Sequence, residues 1–226
     1  MAAFEADPAQ VDAFFHQQML DVVQQWMALA DERLANGGPR CFVGPGTDAA
    51  PEVDDVVRQS KCVELAEGRV VDLGEEFGMI STGWSNITPW RTYREASEQD
   101  LAKKIDAMAT MVADQGRDMR RMVFNFHCPP YGSNLDEAPE ITEDLHVIEA
   151  GRALIPVGST AVHEAIMTYQ PVLSLHGHIH EGKGTARLGK TLAINAGSLY
   201  EQGVLQGAIV NLDRRKGVKS YMLTTG

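Results

Sequence analysis

The chain has 226 residues, 44% hydrophobic and 23% charged, the balance of a globular protein large enough for one substantial core. Its formal net charge of −11, from 20 Lys and Arg against 31 Asp and Glu, argues against a nucleic-acid backbone as main partner, since such binding leans on clustered basic residues. No apolar run approaches the roughly 20 residues of a membrane helix, the acidic start lacks the apolar core of a signal peptide, and Cys41, Cys62 and Cys128 show no CxxC pairing, so the expectation is one cytoplasmic domain over residues 1–226.

Residues 7–36 read as a long amphipathic helix. Asp7 can cap it, Pro8 suits its first turn, and Gly37-Gly38 ends it. Val11, Phe14, Phe15, Val22, Val23, Trp26, Leu29 and Leu34 recur at helical spacing and are expected in the core. Residues 40–43 read as a strand and 53–58 as a short helix. Residues 61–71 offer two strand patterns about a hairpin turn at Glu67-Gly68. A strand over 78–83 leads into a long connection, 85–95, closed by Thr92-Tyr93-Arg94-Glu95 as a capping box.

Leu101, Ile105, Met108 and Val112 mark a helix to about Gln115. It feeds an apolar strand, Met122-Val123-Phe124-Asn125-Phe126, that runs into His127. Pro129-Pro130 must then take the chain out of the sheet, because proline cannot donate to a ladder. His127 is thereby placed at the carboxyl end of a strand, where open α/β sheets bind ligands. Residues 132–156 are polar and irregular. A loop this long suits a lid or specificity element, and its carboxylates Asp136, Glu137, Glu140, Glu143, Asp144 and Glu149 read as a solvated face. Ser159 caps a helix through Tyr169 with Val162 and Ile166 inward and His163 on the exposed side. Strands are expected at 171–175, 191–195, 206–212 and 218–223, the last two as an antiparallel hairpin.

The run Leu175-His176-Gly177-His178-Ile179-His180-Glu181 places three of the chain's seven histidines within five residues at a strand end. Side chains two apart on a strand share a face, so His178 and His180 are expected to enter one pocket. Neutral imidazole is the commonest metal-binding side chain, and His127 supplies a further candidate ligand. Cys128 beside it reads as a small apolar filler.

"FNFHCPP" followed by "LHGHIHE" resembles the calcineurin-like metallophosphoesterases, whose pattern is Asp-x-His, Gly-Asp, Gly-Asn-His-Asp/Glu, a lone His and Gly-His-x-His. His127 matches the lone His, and Gly177-His178-Ile179-His180 the last block. The likeness extends over most of residues 40–212, through Val157-Gly158-Ser159, Gln170-Pro171 and Asn195-Ala196-Gly197-Ser198. It implies an α/β fold, a two-sheet sandwich flanked by helices, here without the N-terminal strand-helix-strand unit that carries the first two blocks. It implies a metal-dependent phosphatase or phosphodiesterase using metal-activated water, with two divalent ions of the Mn, Fe, Zn or Co kind and a phosphate-ester or nucleotide substrate. By resemblance His127 and His178 would hold one ion and His180 the other. Asp48 falls in the third block as a metal ligand and, with His127, as a residue of the chemistry itself. Thr47 stands where the family has its metal-binding asparagine, and the first-block Asp and His and the bridging second-block Asp have no counterpart. A Thr-Pro-Trp segment like the one here occurs in relatives, which makes Trp90 and Arg91 candidates for the substrate cleft, against a role of Trp90 as anchor of its loop. The gaps leave two other readings: a non-catalytic interaction module that keeps the fold, and a mononuclear metal protein built on His127, His178 and His180. A missing β-α-β unit would expose a sheet edge, so self-association is expected.

Overall fold

The computed structural model describes residues 7–142, 144–148 and 153–226. Glu143 and Glu149 of the acidic loop lie outside them. In chain order the elements are α1 (Pro8–Leu34), β1 (Cys41–Val43), α2 (Val53–Arg58), β2 (Val63–Leu65), β3 (Val70–Gly74), β4 (Phe77–Thr82), β5 (Ser85–Asn86), β6 (Glu95–Ala96), α3 (Glu98–Asp114), β7 (Met122–Phe126), β8 (Glu137–Pro139), β9 (Leu154–Pro156), α4 (Thr160–Tyr169), β10 (Leu173–His176), β11 (Gly184–Leu188), β12 (Thr191–Asn195), β13 (Gln206–Asp213) and β14 (Gly217–Thr225).

Six strands form the central sheet in the order β11-β12-β10-β7-β4-β3. The inner four, β12, β10, β7 and β4, run parallel, and the edge strands β11 and β3 are antiparallel to their neighbours. Alternation along β7 sorts the two faces: Met122, Phe124 and Phe126 point to one side and Val123 to the other. On the first side α3 and α4 bury Leu101, Ile105, Val112, Val162 and Ile166 against Ile80 and the stacked rings of Phe124 and Phe126, 4.6 Å apart. On the second side lie two smaller sheets. Phe42 of β1 and Ala208, Val210, Leu212, Val218 and Leu223 of the β13–β14 hairpin pack on Val71, Met79, Val123, Leu173, Leu192 and Ile194. A groove of about 340 Å³ over this face is lined by Met79, Val123, Leu173, Ile194 and Val210 among others. The chain is thus an α/β protein with a central mixed sheet flanked by helices.

Three local expectations are corrected. The two strands around Glu67-Gly68 do not form a hairpin. β2 pairs in parallel with β1, whereas β3 pairs antiparallel with β4. The reason is that Gly68 N–H donates to Ser81 O at 2.9 Å, which pins the turn to β4 and sends its flanks into different sheets. The hairpin turn falls at Gly74-Glu75-Glu76, all at positive φ. Second, α1 packs on α2 and β2 through Met19, Leu20, Val23, Met27 and Ala30, of which Val23 alone was expected. Phe15 and Trp26 are 64% and 61% exposed, and Leu29 is exposed as well. The helix is apolar on two stripes, and periodicity cannot say which one meets the body. Third, no helix starts at Thr92, which runs instead into β6. Ser97 caps α3 by accepting from Asp100 N–H at 3.1 Å. Among the described residues no helix is long and apolar enough to cross a membrane.

Candidate metal and phosphate site

The carboxyl ends of the four parallel strands come together at one edge of the sheet, and each delivers a piece of the site. β4 ends in Thr82-Gly83, β7 in His127, β10 in His176-Gly177-His178 and β12 in Asn195. Backbone bonds extend the ladder past the strands: His127 N–H donates to Thr82 O at 2.8 Å, and Gly177 N–H to His127 O at 3.0 Å. This is where parallel sheets present ligand-binding loops.

His127 and His178 meet edge to face with ring centroids 5.1 Å apart. His178 reaches this position because its backbone leaves the strand conformation: φ is +62°, and Ile179 N–H closes a tight turn onto Gly177 O at 2.7 Å. The strand alternation behind the expectation of one pocket is broken at His178, yet His180 still acts electrostatically on both His127 and His178. His178 turns to His127, while His180 is exposed and lies edge-on to Tyr200, centroids 5.4 Å apart. A further wall is the turn after β1. A Cβ on Gly46 would come within 3.1 Å of His127 Cε1, so this residue is flush with the imidazole. Thr47 is buried, and its carbonyl accepts from Arg94 N–H at 3.1 Å. Asp48, next along, is exposed.

Burial, and secondarily the neighbouring imidazoles, pushes the His127 pKa down to about 3. At neutral pH the ring is uncharged and keeps a lone pair. Burial also lowers the pKa of His178, opposed by the carboxylates of Asp48 and Glu95. The His180 imidazole adds to the lowering. Among the described residues no three His, Cys, Asp or Glu side chains converge closely enough to hold a metal ion. The uncharged His127–His178 pair with carboxylates nearby suits part of a cation's ligand set and does not make a complete one.

His176, first of the cluster, is a structural pin. It is buried, with Nδ1 2.9 Å from Cys128 O and 3.0 Å from Phe126 O, and Nε2 2.8 Å from Ser174 Oγ. Two carbonyls at Nδ1 assign the proton there, leaving Nε2 to accept from the serine. Burial holds its pKa down to about 4. Cys128 is fully buried with Sγ 3.1 Å from Asn86 Oδ1, and burial pushes its thiol up to about 12. It is a filler and not a nucleophile.

Several site-building residues lie outside the histidine motifs. Asn195 donates its amide to Leu135 O, Gly177 O and Ile179 O at 3.1, 3.2 and 2.9 Å. Glu67, half-buried, accepts from Gly83 N–H at 2.6 Å and from Thr82 Oγ1, and burial raises its pKa. Arg94, buried, donates to Ala49 O and Ala50 O and pairs with Asp54 at 2.7 Å, locking the turn that bears Asp48. Glu95 accepts from the backbone and hydroxyl of both Thr88 and Thr92. The Thr-x-x-Glu spacing, which reads as a helix cap, is its only trace in the sequence. Asp136 corrects the solvated-face reading of the acidic loop. It is fully buried and receives Gly132, Ser133 and Gly158 N–H groups. His163 is half-buried and binds Tyr131 O through Nδ1 at 2.8 Å. His146 is exposed.

No family model matches the chain. An uncharacterized protein of Methanocaldococcus jannaschii, MJ1162, is 25% identical over 153 residues, covering 67% of this chain and 61% of that protein. The alignment thus spans less than two thirds of the relative's length. Among solved structures, one crystal structure aligns with a TM-score of 0.57 at 19% identity, covering 84% of this chain and 67% of that one. The protein TT1561 of Thermus thermophilus aligns with a TM-score of 0.54 at 18% identity, covering 90% and 79%. Both likenesses are of fold.

Proposed function

We propose that the chain is the histidine-bearing part of a calcineurin-like metallophosphoesterase, hydrolysing a phosphate ester with divalent metal ions. The observation that carries this reading is the His127–His178 pair, 5.1 Å apart between ring centroids at the ends of adjacent parallel strands. Its support is chemical. Both imidazoles are held uncharged, as metal ligation requires, and Asp48 and Glu95 place negative charge beside His178. In this proposal His127 and His178 share an ion, Asp48 approaches the same ion from the β1 turn, and His180 serves a second position. When bound, the metals would supply an activated water and neutralise charge on the phosphoryl oxygens. The chain's own part is to orient the two rings, through Gly46, the Gly177 turn and Asn195, and to keep them unprotonated. The order of layers, with β1–β2 and β13–β14 on one face of the central sheet and α3 and α4 on the other, is compatible with the family's sandwich.

A second reading is favoured by one specific observation, the lack of three converging ligands among the described residues. In it the chain keeps the fold as a non-catalytic module; a single ion on the three histidines is the remaining alternative.

Elemental analysis after dialysis against Mn2+ and Zn2+, with and without His178→Ala, separates them. Two ions per chain, lost in the variant, with metal-dependent hydrolysis of bis-p-nitrophenyl phosphate, is the outcome expected of a hydrolase. One ion without turnover supports the mononuclear reading, and none supports the module.

A further inference from the structure

The loop between β5 and β6 is braced by side-chain bonds to its backbone. Its apex carries Trp90, 62% exposed, and Arg91 at φ +51°. Apolar burial does not hold this tip. Trp84, by contrast, is half-buried beneath the Lys104 ammonium, 3.9 Å from its ring. The loop stands because Glu95 closes it from below, receiving Thr88 N–H at 2.9 Å, Thr92 N–H at 3.0 Å and both threonine hydroxyls. Trp90 N–H adds a bond to Thr88 Oγ1 at 3.2 Å. Trp90 is therefore presented by its loop and does not anchor it.

The base of the loop is fixed to the site. Arg94 N–H binds Thr47 O at 3.1 Å, one residue from Asp48, and Arg94 O takes Ser85 N–H at 3.0 Å. Arg91 is exposed, and no carboxylate pairs with it among the described residues, although the chain holds 31 acidic residues against 20 basic ones. An exposed indole and an uncommitted guanidinium thus share the tip of a braced loop tied to the β1 turn, whose Gly46 lies against His127. An indole face stacks on planar rings, and guanidinium is the side chain best matched to phosphate oxygens.

We infer that the Trp90–Arg91 tip recognises an aromatic phosphate ester of the nucleotide kind, Trp90 stacking on the ring and Arg91 pairing with the phosphate. This rests on the phosphoesterase reading and narrows its substrate class.

The probes are adenosine 5′-monophosphate, ribose 5-phosphate and adenosine, titrated by calorimetry with and without Mn2+. Trp26→Phe with Trp84→Phe leaves Trp90 the one tryptophan of three, for a fluorescence readout. The nucleotide is expected to quench Trp90 saturably and to bind on the order of tenfold or more tighter than ribose 5-phosphate, the scale of one base–aromatic stack. Trp90→Ala should erase that preference and leave ribose 5-phosphate affinity unchanged. Arg91→Gln should weaken both phosphates and spare adenosine. An unchanged urea midpoint for both variants shows that the fold is retained. Equal affinity for the two phosphates, no nucleotide binding under either condition, or a Trp90→Ala effect below twofold overturns the inference. Because the readout is binding, nucleotide preference without hydrolysis sinks the phosphoesterase reading alone, and hydrolysis indifferent to Trp90 sinks the recognition loop alone.

Discussion

Asn195→Ala tests how the histidine turn is held. Asn195 is fully buried at the end of β12. Its Nδ2 donates to three carbonyls, at 2.9 to 3.2 Å, and its Oδ1 accepts from Gly197 N–H at 2.8 Å. Two N–H groups serve three acceptors, so one bond is shared and the side chain makes the equivalent of about three full bonds. At about 1 kcal/mol net each, alanine should cost about 3 kcal/mol, rising toward 4 if the Leu135 and Ile179 carbonyls find no water. That is a large part of the roughly 5–15 kcal/mol that holds a domain folded. Urea unfolding read by circular dichroism should show a lower midpoint at unchanged slope. Asn195→Asp sharpens the test. The carboxylate still accepts from Gly197 but faces three carbonyl oxygens with no proton to offer, so it should be at least as destabilising at pH 7. Its deficit should shrink as pH falls and the carboxyl regains a donor. A loss below about 1 kcal/mol for alanine, or an aspartate variant insensitive to pH, would refute the claim that this amide fixes the turn.

Two further outcomes follow from buried groups. With iodoacetamide at pH 8, Cys128 should stay unmodified in the native protein and react only after unfolding, because burial holds its thiol near 12; peptide mapping that finds it alkylated as fast as a free thiol would reverse the assignment as filler. For Glu67 the folded pKa is raised above its ordinary value of 4.5, so the fold favours the protonated carboxyl. That contribution is complete below the unfolded pKa and is lost as pH rises through the higher folded one. Glu67→Gln, which cannot ionise, should therefore gain stability over the parent between pH 4 and pH 8, and a constant difference across that range counts against burial as the cause.

The elements with strong periodicity were readable from the chain. α3, α4, β7 and the β13–β14 hairpin fall where the apolar spacing puts them, and His127 does end a parallel strand. Position along the sequence failed where a contact from elsewhere decides the backbone. Glu67-Gly68 looks like a hairpin turn until the bonds to Ser81 and Gly83 fix it to another strand. His178 and His180 look like strand neighbours, but the positive φ of His178 takes its backbone out of the strand. Periodicity placed α1 but turned Phe14, Phe15, Val22, Trp26 and Leu29 inward when they face out, since both its faces are apolar. The roles of Glu95, Arg94 and Asn195 were hidden for one reason, even though Asn195 stands in the Asn195-Ala196-Gly197-Ser198 segment: each acts on backbone groups of another segment, and such partners leave no spacing rule.

These hidden residues share a logic that bears on the site. Glu67 fixes the end of β4, Arg94 the turn before Asp48, Glu95 the Trp90 loop, Asp136 the segment after His127 and Asn195 the histidine turn. In each case a polar or charged side chain, partly or wholly out of water, satisfies the backbone of an irregular loop. Desolvating such groups is unfavourable unless they are bonded, and an ordinary surface loop is solvated by water instead. Five of them around one sheet edge immobilise the segments that carry His127, His178, Asp48 and Trp90. Meanwhile the His127 imidazole is left uncharged and the Arg91 guanidinium exposed. Rigid loops holding uncommitted donors and acceptors are what preorganised binding requires. That contrast, between the bonded supports and the unbonded groups they present, is the reason to look for a ligand at this edge before the apolar face of α1.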